Sequence, residues 1–194
     1  MKGVNIFLAD GFEDIEALAT HDVLRRGGVD VNLIAVSYDP FVTSSRGVTI
    51  GVETSIYDIE IDHSGTDARD VMIFPGGMPG TKNLAACKPL IKAMKAHYAA
   101  GGTLAAICAA PGYVLGQLGD VWDGKTFTCF DGCQEKTEAA GGVFVPKPVV
   151  VDGRIITGRS AGFSVDFGLA VLDWIKGPEE AAKVRYSMFL DTQE

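Results

Sequence analysis

The chain has 194 residues, of which 47% are hydrophobic and 22% charged, a composition typical of a globular protein with a substantial core. Its formal net charge of −8 disfavours nucleic acid or an anionic membrane surface as the main partner, and no cluster of lysine and arginine offsets it. No apolar run is long enough to span a bilayer, and acidic residues follow the first apolar run too soon for a signal peptide, so we expect a cytoplasmic protein.

Short apolar runs alternate with segments of helical spacing along the chain. The predicted strands cover 4–9, 29–36, 71–74, 103–107 and 126–129, with a short hairpin or irregular excursion at 43–52 and a hairpin at 149–157. The predicted helices cover the segment between Asp10 and Gly27, then 89–100, 113–118, 164–175 and 179–190. Asp10 is predicted to cap the first helix, with Glu13 completing a capping box.

This alternation indicates an α/β fold, with a parallel sheet covered by helices on both faces. No repeat, low-complexity tract or linker interrupts it, so residues 1–194 are predicted to form a single domain. Functional sites in such sheets gather at the carboxyl ends of the strands. Three loops are expected there, at 10–13, 75–77 and 107–109.

Cys108 ends the apolar run 103–107 and precedes a stretch of small residues and a helix. This order is typical of a nucleophile elbow, in which small residues such as Ala106 and Ala110 prevent collisions in the sharp turn. A thiol at a helix N-terminus also meets the positive end of the helix dipole, which favours the thiolate. The alternative is a buried cysteine that acts as a small hydrophobic side chain, but the context favours a reactive thiol.

A partner for this thiol is harder to choose. No histidine follows Cys108 in the chain, and His21 and His97 are poorly placed to activate it. Glu13 and Glu16 share a helix face near the helix start. Acidic residues also favour first turns because of the dipole, and the residues alone favour that non-catalytic alternative. A glutamate held against the thiol in a dry pocket would have a raised pKa and could act as acid and base.

Several other groups have open assignments. Gly76-Gly77 is a tight turn, or it supplies a backbone N–H that joins the N–H of Ala109 in an oxyanion hole. Cys129, at a predicted strand end, either packs in the core or faces the same pocket, and Cys133 is expected to pack. The scattered histidines, and cysteines without C-x-x-C spacing, predict no metal site.

Short motifs occur in order along nearly the whole chain: GFEDIE at 11–16, DVLRRGG at 22–28, SRG at 45–47, PGG at 75–77 with NL at 83–84, AAICAAP at 105–111, DG at 152–153 and TGRS at 157–160. Together they resemble the ThiJ/PfpI superfamily, in its DJ-1-like branch. So many matches in the same order make the resemblance highly specific.

The resemblance implies a flavodoxin-like three-layer sandwich, a homodimer and chemistry without a cofactor. It implies that Cys108 is the nucleophile, that Glu16 is the carboxyl group touching its sulfur, and that Gly77 and Ala109 supply backbone donors. Arg46 resembles the family arginine that approaches the site from the other subunit. Family activities include glyoxalase III-type conversion of methylglyoxal to lactate, deglycation, protection against oxidative stress, and chaperone activity.

Two departures from the family patterns narrow the hypothesis. Ala109 stands where the peptidase-like branch has histidine, so peptidase activity is not expected, and Cys129 falls where some relatives place a histidine. The main hypothesis is an enzyme that acts on small aldehydes or glycated substrates through Cys108 and Glu16. The alternative is a redox sensor or chaperone whose Cys108 is oxidised to sulfinate. A glutamine amidotransferase would need a downstream histidine, which the chain lacks.

Overall fold

The computed structural model describes residues 1–191. In chain order the elements are β1 (Val4–Leu8), α1 (Asp14–Arg26), β2 (Val31–Ala35), β3 (Phe41–Thr43), β4 (Thr49–Gly51), β5 (Thr54–Ser55), β6 (Val71–Phe74), α2 (Gly80–Ala86), α3 (Lys88–Ala99), β7 (Thr103–Ile107), α4 (Ala110–Tyr113), β8 (Thr126–Phe127), α5 (Glu135–Ala139), β9 (Val143–Phe144), β10 (Val149–Asp152), β11 (Ile155–Gly158), α6 (Ser164–Lys176) and α7 (Pro178–Ser187). Two 3₁₀ segments, Leu115–Trp122 and Ala161–Phe163, lie between them.

A central sheet organises these elements, in the strand order β10-β11-β7-β6-β1-β2-β5. Its neighbouring strands are parallel except β10 and β11, which form the antiparallel hairpin predicted near the end of the chain. The predicted α/β fold with a mostly parallel sheet is therefore confirmed. The excursion predicted at 43–52 is also a hairpin, with β3 and β4 paired outside the central sheet.

Each face of the sheet carries its own hydrophobic core, because successive strand residues point to opposite sides. On one face, Phe7 and Phe74 of the sheet pack in a cluster with apolar residues of α2, α3 and the 3₁₀ segment that follows α4. On the other, Ile6 and Ile107 pack in a cluster with residues of α1, α6 and α7. Helices thus cover both faces, which confirms the three-layer, flavodoxin-like arrangement.

The sheet order brings three chain segments to one place. β6 lies between β1 and β7, with Ile73 paired to Ile6 on one side and to Ala105 on the other. Because the three strands are parallel, the loops at 9–13, 75–79 and 108–109 meet at their common carboxyl edge. This is the edge at which the sequence places its candidate site.

The start of α1 differs from the predicted capping box. Glu13, and not Asp10, is the N-cap residue, and its side chain accepts a hydrogen bond of 2.8 Å from the Glu16 N–H. Asp10 instead accepts from the Thr43 N–H at 2.9 Å. Gly11 has φ +87°, so the chain turns before the helix begins and the cap moves three residues along.

The other differences concern short elements. The strands β5 and β9 and the helices α2 and α5 are not predicted from the sequence, and all four have seven residues or fewer. The helix predicted at 113–118 is replaced by the four-residue α4 and a 3₁₀ segment. Within residues 1–191, no helix combines the length and apolarity needed to cross a membrane.

Candidate active site

Cys108 lies at the turn between β7 and α4 in a strained backbone conformation. Its φ is +64°, in the left-handed region that residues other than glycine rarely adopt. Its N–H donates to the Gly158 carbonyl at 3.0 Å, and its own carbonyl accepts from the Phe130 N–H at 2.8 Å. Such strain persists only where the surroundings hold it, so this backbone geometry is that of a nucleophile elbow.

Glu16 reaches the same point from the first turn of α1. Its side chain is 1% exposed, and Oε2 accepts a hydrogen bond of 2.8 Å from the Gly76 N–H. The carboxyl group also interacts with the Cys108 thiol, while Oε1 is buried without a hydrogen-bond partner of ordinary geometry among the described residues. The first-turn glutamate therefore does more than interact with the helix dipole.

Gly76 makes this contact possible, and the sequence alone does not separate its role from that of Gly77. A Cβ at Gly76 would lie 2.6 Å from Glu16 Oε2, 2.6 Å from Cys108 Cβ and 3.1 Å from Cys108 Sγ. Only glycine leaves room for the carboxyl group and the thiol together.

The Glu16 carboxylate and the Cys108 thiolate would repel each other if both were charged. Burial raises the pKa of Glu16 to about 7, although hydrogen bonds with Cys108 and Gly76 lower it. Burial also raises the pKa of the Cys108 thiol far above its usual range, and the Glu16 carboxylate raises it further. The pair is therefore suited to hold one negative charge near neutral pH, with a proton that can move between oxygen and sulfur.

The expected thiolate stabilisation by a helix dipole is not what the structure provides. α4 has only four residues, so its dipole is small. The thiol instead receives local help from the N–H groups of Ala109 and Gly77, whose hydrogen bonds to the sulfur lower its pKa. Stabilisation of the thiolate thus depends on the backbone N–H groups of Ala109 and Gly77 and on the protonation of Glu16.

Gly77 and Ala109 come from two different loops. Gly77 lies in the loop after β6, and Ala109 directly follows Cys108. Gly77 has φ +89°, and a Cβ there would collide with the backbone of Gly11 and Glu13. The Glu13 N–H donates to the Gly76 carbonyl at 3.0 Å, which ties the β1 and β6 loops together. The structure therefore brings both predicted amide donors to the thiol.

Arg46 lies apart from this cluster, at the exposed tip of the β3–β4 hairpin. Within the described residues its side chain makes no ion pair. The hairpin itself is held next to the site, because Ser44 Oγ donates to Asp14 Oδ1 at 2.6 Å and the Ser45 N–H donates to the Phe12 carbonyl at 2.7 Å.

Cys129 is fully buried in the core cluster on the α2–α3 side of the sheet. Its Sγ donates to the Phe130 carbonyl at 3.3 Å, and burial, together with nearby Cys133 and Asp131, raises its pKa to about 12. These surroundings are those of a packed, protonated thiol. Cys133 is partly exposed, and burial raises its pKa as well.

The histidines lie away from the elbow or are engaged elsewhere. His97 is fully buried, bonds the Asp70 carbonyl at 3.0 Å and packs near His63, with 5.8 Å between ring centroids. Asp70 and Thr103 mark the amino ends of β6 and β7, so His97 is at the opposite edge of the sheet from Cys108. His21 is partly buried in α1, and burial lowers its pKa.

Comparisons with known proteins find relatives along most of the chain. A family model described as the DJ-1/PfpI family matches residues 2–174. The chain is similar to Protein DJ-1 homolog B of Arabidopsis thaliana, with 37% identity over 184 residues, 94% of this chain and 40% of the relative. It is also similar to Glutathione-independent glyoxalase DJR-1.2 of Caenorhabditis elegans, with 32% identity over 168 residues, 87% of this chain and 85% of the relative.

The relatives differ in length. The matched region covers 40% and 47% of the Arabidopsis DJ-1 homologs B and A, so the chain spans less than half the length of these two proteins.

Solved structures support the fold. A DJ-1 superfamily protein from Salmonella typhimurium has a TM-score of 0.86 at 29% identity, with 97% of this chain and 98% of that chain covered. Drosophila melanogaster DJ-1beta has a TM-score of 0.83 at 28% identity, with 98% and 99% covered.

Proposed function

Because the chain belongs to the DJ-1/PfpI family, we propose that it is a cofactor-independent enzyme that converts small reactive carbonyls, with methylglyoxal to lactate as the model reaction. One observation carries the proposal. A buried carboxyl group with a pKa of about 7, that of Glu16, interacts with a partly exposed thiol, that of Cys108, and the N–H groups of Gly77 and Ala109 lower the pKa of the same thiol.

The reaction begins with proton transfer within the pair. The Cys108 proton moves to the Glu16 carboxylate as the sulfur attacks the aldehyde carbon, and the C=O electron pair becomes an oxyanion. The N–H groups of Gly77 and Ala109 stabilise this oxyanion, and Glu16 returns its proton to give a neutral hemithioacetal.

The second stage moves hydrogen between the two carbons. The Glu16 carboxylate removes the hydrogen on the former aldehyde carbon as a proton, and the electron pair passes to the ketone oxygen, which gives an enediolate. Glu16 then protonates the neighbouring carbon, while the hydroxyl proton on the sulfur-bearing carbon passes to the oxygen of that neighbouring carbon. The aldehyde carbon is oxidised to a thioester while the ketone carbon is reduced to an alcohol, so no external redox partner is needed. Water then hydrolyses the thioester, which releases lactate and restores the Cys108 thiol. A carboxyl pKa near neutrality suits both proton removal and return.

The relatives give this proposal its substrate class. DJR-1.2 of Caenorhabditis elegans carries the name of a glutathione-independent glyoxalase, and its similarity to this chain extends over 85% of its length. The absence of histidine from the immediate surroundings of Cys108 leaves Glu16 as the acid and base of the mechanism. A deglycase reaction on glycated substrates would use the same nucleophile and oxyanion donors.

The direct test is lactate formation from methylglyoxal by the wild type and by Cys108→Ser, Glu16→Gln and Cys133→Ser. We expect no turnover from the first two variants and wild-type turnover from Cys133→Ser, which removes another partly exposed thiol. Turnover that survives Cys108→Ser would overturn the mechanism, and equal losses in all three variants would show that the assay reports folding.

A redox sensor is the second candidate, and Glu16 Oε1, which has no hydrogen-bond partner within residues 1–191, favours it. Cys108 would be oxidised by two molecules of hydrogen peroxide in turn, first to sulfenate and then to sulfinate, with one water released in each step. A protonated Glu16 could then donate to a sulfinate oxygen. Negligible lactate formation, with a gain of two oxygen atoms confined to Cys108 in peptide mass spectra, would favour the sensor over the enzyme.

We further propose a homodimer in which Arg46 approaches the site of the partner subunit. Ile15 and Leu18 of α1 are 55% and 36% exposed, and Val48 of the hairpin is 47% exposed, which supports an apolar contact beside Arg46. A cytoplasmic location is proposed as well, which the four free thiols support because such thiols persist in reducing compartments.

Mixed dimers test both parts of this proposal. If Arg46 acts across the interface, a dimer of one Cys108→Ser subunit and one Arg46→Ala subunit contains one complete site, with activity near half that of the wild type. If Arg46 acts within its own subunit, the mixed dimer keeps a single working site that lacks Arg46, and its activity is half that of the Arg46→Ala homodimer. A monomer in light scattering at micromolar concentration would contradict the dimer.

A further inference from the structure

Two segments far apart in sequence hold the backbone of Cys108. Its N–H is held by the carbonyl of Gly158, the last residue of β11, at 3.0 Å, and its carbonyl is held by the N–H of Phe130 at 2.8 Å. Phe130 belongs to the loop 128–134, between β8 and α5. The strained elbow is therefore clamped by the end of β11 on one side and by this loop on the other.

Arg159 joins the two segments. It directly follows Gly158, and its own N–H donates to the Pro148 carbonyl at 3.0 Å. Its guanidinium Nη2 donates to Asp131 Oδ1 at 2.7 Å, and Asp131 directly follows Phe130. The Arg159 side chain is 23% exposed, so it crosses a largely buried space between β11 and the loop.

The peptide unit between Cys108 and Ala109 links this clamp to the chemistry. In a trans peptide the carbonyl of one residue and the N–H of the next lie in one plane and point in opposite directions. The bond from the Phe130 N–H fixes the Cys108 carbonyl, and it thereby sets the direction of the Ala109 N–H, whose interaction with the sulfur lowers the pKa of the thiol.

We infer that Arg159 is a positioning residue, which acts through its ion pair with Asp131 to hold the 128–134 loop against the elbow and to aim the Ala109 N–H at the reacting atoms. This inference rests on the proposed role of Ala109 as an oxyanion donor. Among the described residues, Arg159 makes no hydrogen bond or ion pair with Cys108 or Glu16. Its effect passes through Asp131, Phe130 and one peptide plane.

The ion pair is a weak source of stability, which makes the role testable. The Asp131 side chain is 73% exposed, and exposed pairs contribute little to folding. A misaimed amide donor, in contrast, weakens charge stabilisation at the reacting sulfur. Loss of the pair should therefore change the reactivity of Cys108 much more than the free energy of unfolding.

The experiment measures the rate of Cys108 alkylation by iodoacetamide across pH, resolved by peptide mass spectrometry on the full chain. We expect Asp131→Asn and Arg159→Gln to slow alkylation about tenfold near neutral pH and to move its pH profile upward. Arg159→Lys should recover part of the rate, since it keeps the charge. Asp30→Asn, which breaks the exposed 2.7 Å pair with Arg25 away from the site, is the matched control and should react as the wild type.

Salt supplies an independent readout. Raising the ionic strength to about 1 M should lower the alkylation rate of the wild type toward that of Asp131→Asn, because salt screens the Arg159–Asp131 ion pair. The rate of Asp131→Asn, which lacks this pair, should not change. Unchanged rates and pH profiles in Asp131→Asn would overturn the inference even if Arg159→Gln failed to fold. Alkylation needs no turnover, so failure of the lactate assay would count against the proposed enzyme and leave this test intact.

Discussion

The Glu16 carboxyl group and the Cys108 thiol lie on either side of a missing side chain, that of Gly76. A Cβ at that position would stand 2.6 Å from Glu16 Oε2 and 3.1 Å from Cys108 Sγ. The contact between acid and thiol therefore depends on a residue that contributes only a backbone N–H to it.

Gly76→Ala is expected to abolish lactate formation, because the new methyl group forces the carboxyl group and the thiol apart. Gly162→Ala is the matched control, since a Cβ there meets no atom within 4 Å and its φ is not positive. The checks are lactate formation and a thermal unfolding curve for each variant. Wild-type turnover by Gly76→Ala would contradict the requirement for direct contact.

Glu16→Gln should stabilise the protein above pH 7 while it removes activity. The pKa of Glu16 is about 7 in the folded protein against an ordinary value of 4.5, so its contribution is fully present below 4.5 and is lost as pH rises to 7. The free energy of unfolding of the wild type falls by about 3 kcal/mol over this pH range, and a neutral glutamine does not undergo this loss. Urea unfolding at pH 4 and pH 8 measures it; an equal difference between the two proteins at both pH values would contradict the prediction.

Cys108→Gly should be more stable than Cys108→Ala by about 1 kcal/mol, because glycine relieves the strain of a φ of +64°. At Cys133, which is not among the residues of positive φ, the order should reverse, with the glycine variant less stable than the alanine variant. Chemical denaturation of the four variants tests the pair of comparisons. The same order at both positions would argue against strain at the elbow.

His97 should make the protein less stable in acid. Burial lowers its pKa to about 4, against 6.5 for the ordinary group, so the folded protein releases a proton that the unfolded chain keeps. Stability is fully present above pH 6.5 and falls by up to about 3 kcal/mol as pH drops through 4. His97→Gln should flatten this decline, measured by urea unfolding from pH 7 to pH 4. A decline as steep in the variant would assign the acid sensitivity to other groups.

The fold was predictable from the sequence to the extent that its elements are long and regular. Buried parallel strands such as β1, β6 and β7 are continuous apolar runs, and the helices α1, α3, α6 and α7 are long enough to show their spacing. Elements of two to seven residues, such as β5, β9 and α5, have too few residues for a period to appear. Tertiary contacts determine them.

The elbow was predictable from the local sequence, because the buried strand, the cysteine and its small neighbours are adjacent in the chain and together form a single turn. The residues alone did not distinguish a Glu16 that contacts the thiol from a first-turn acid, a distinction that came from the family resemblance. They also did not separate the role of Gly76 from that of Gly77 or find the Arg159–Asp131 pair. Those are decided by the order β7-β6-β1 and by β11 beside β7. Contacts between residues 28 to 92 positions apart follow from which strands become neighbours, and burial then sets the pKa values of the groups that meet there.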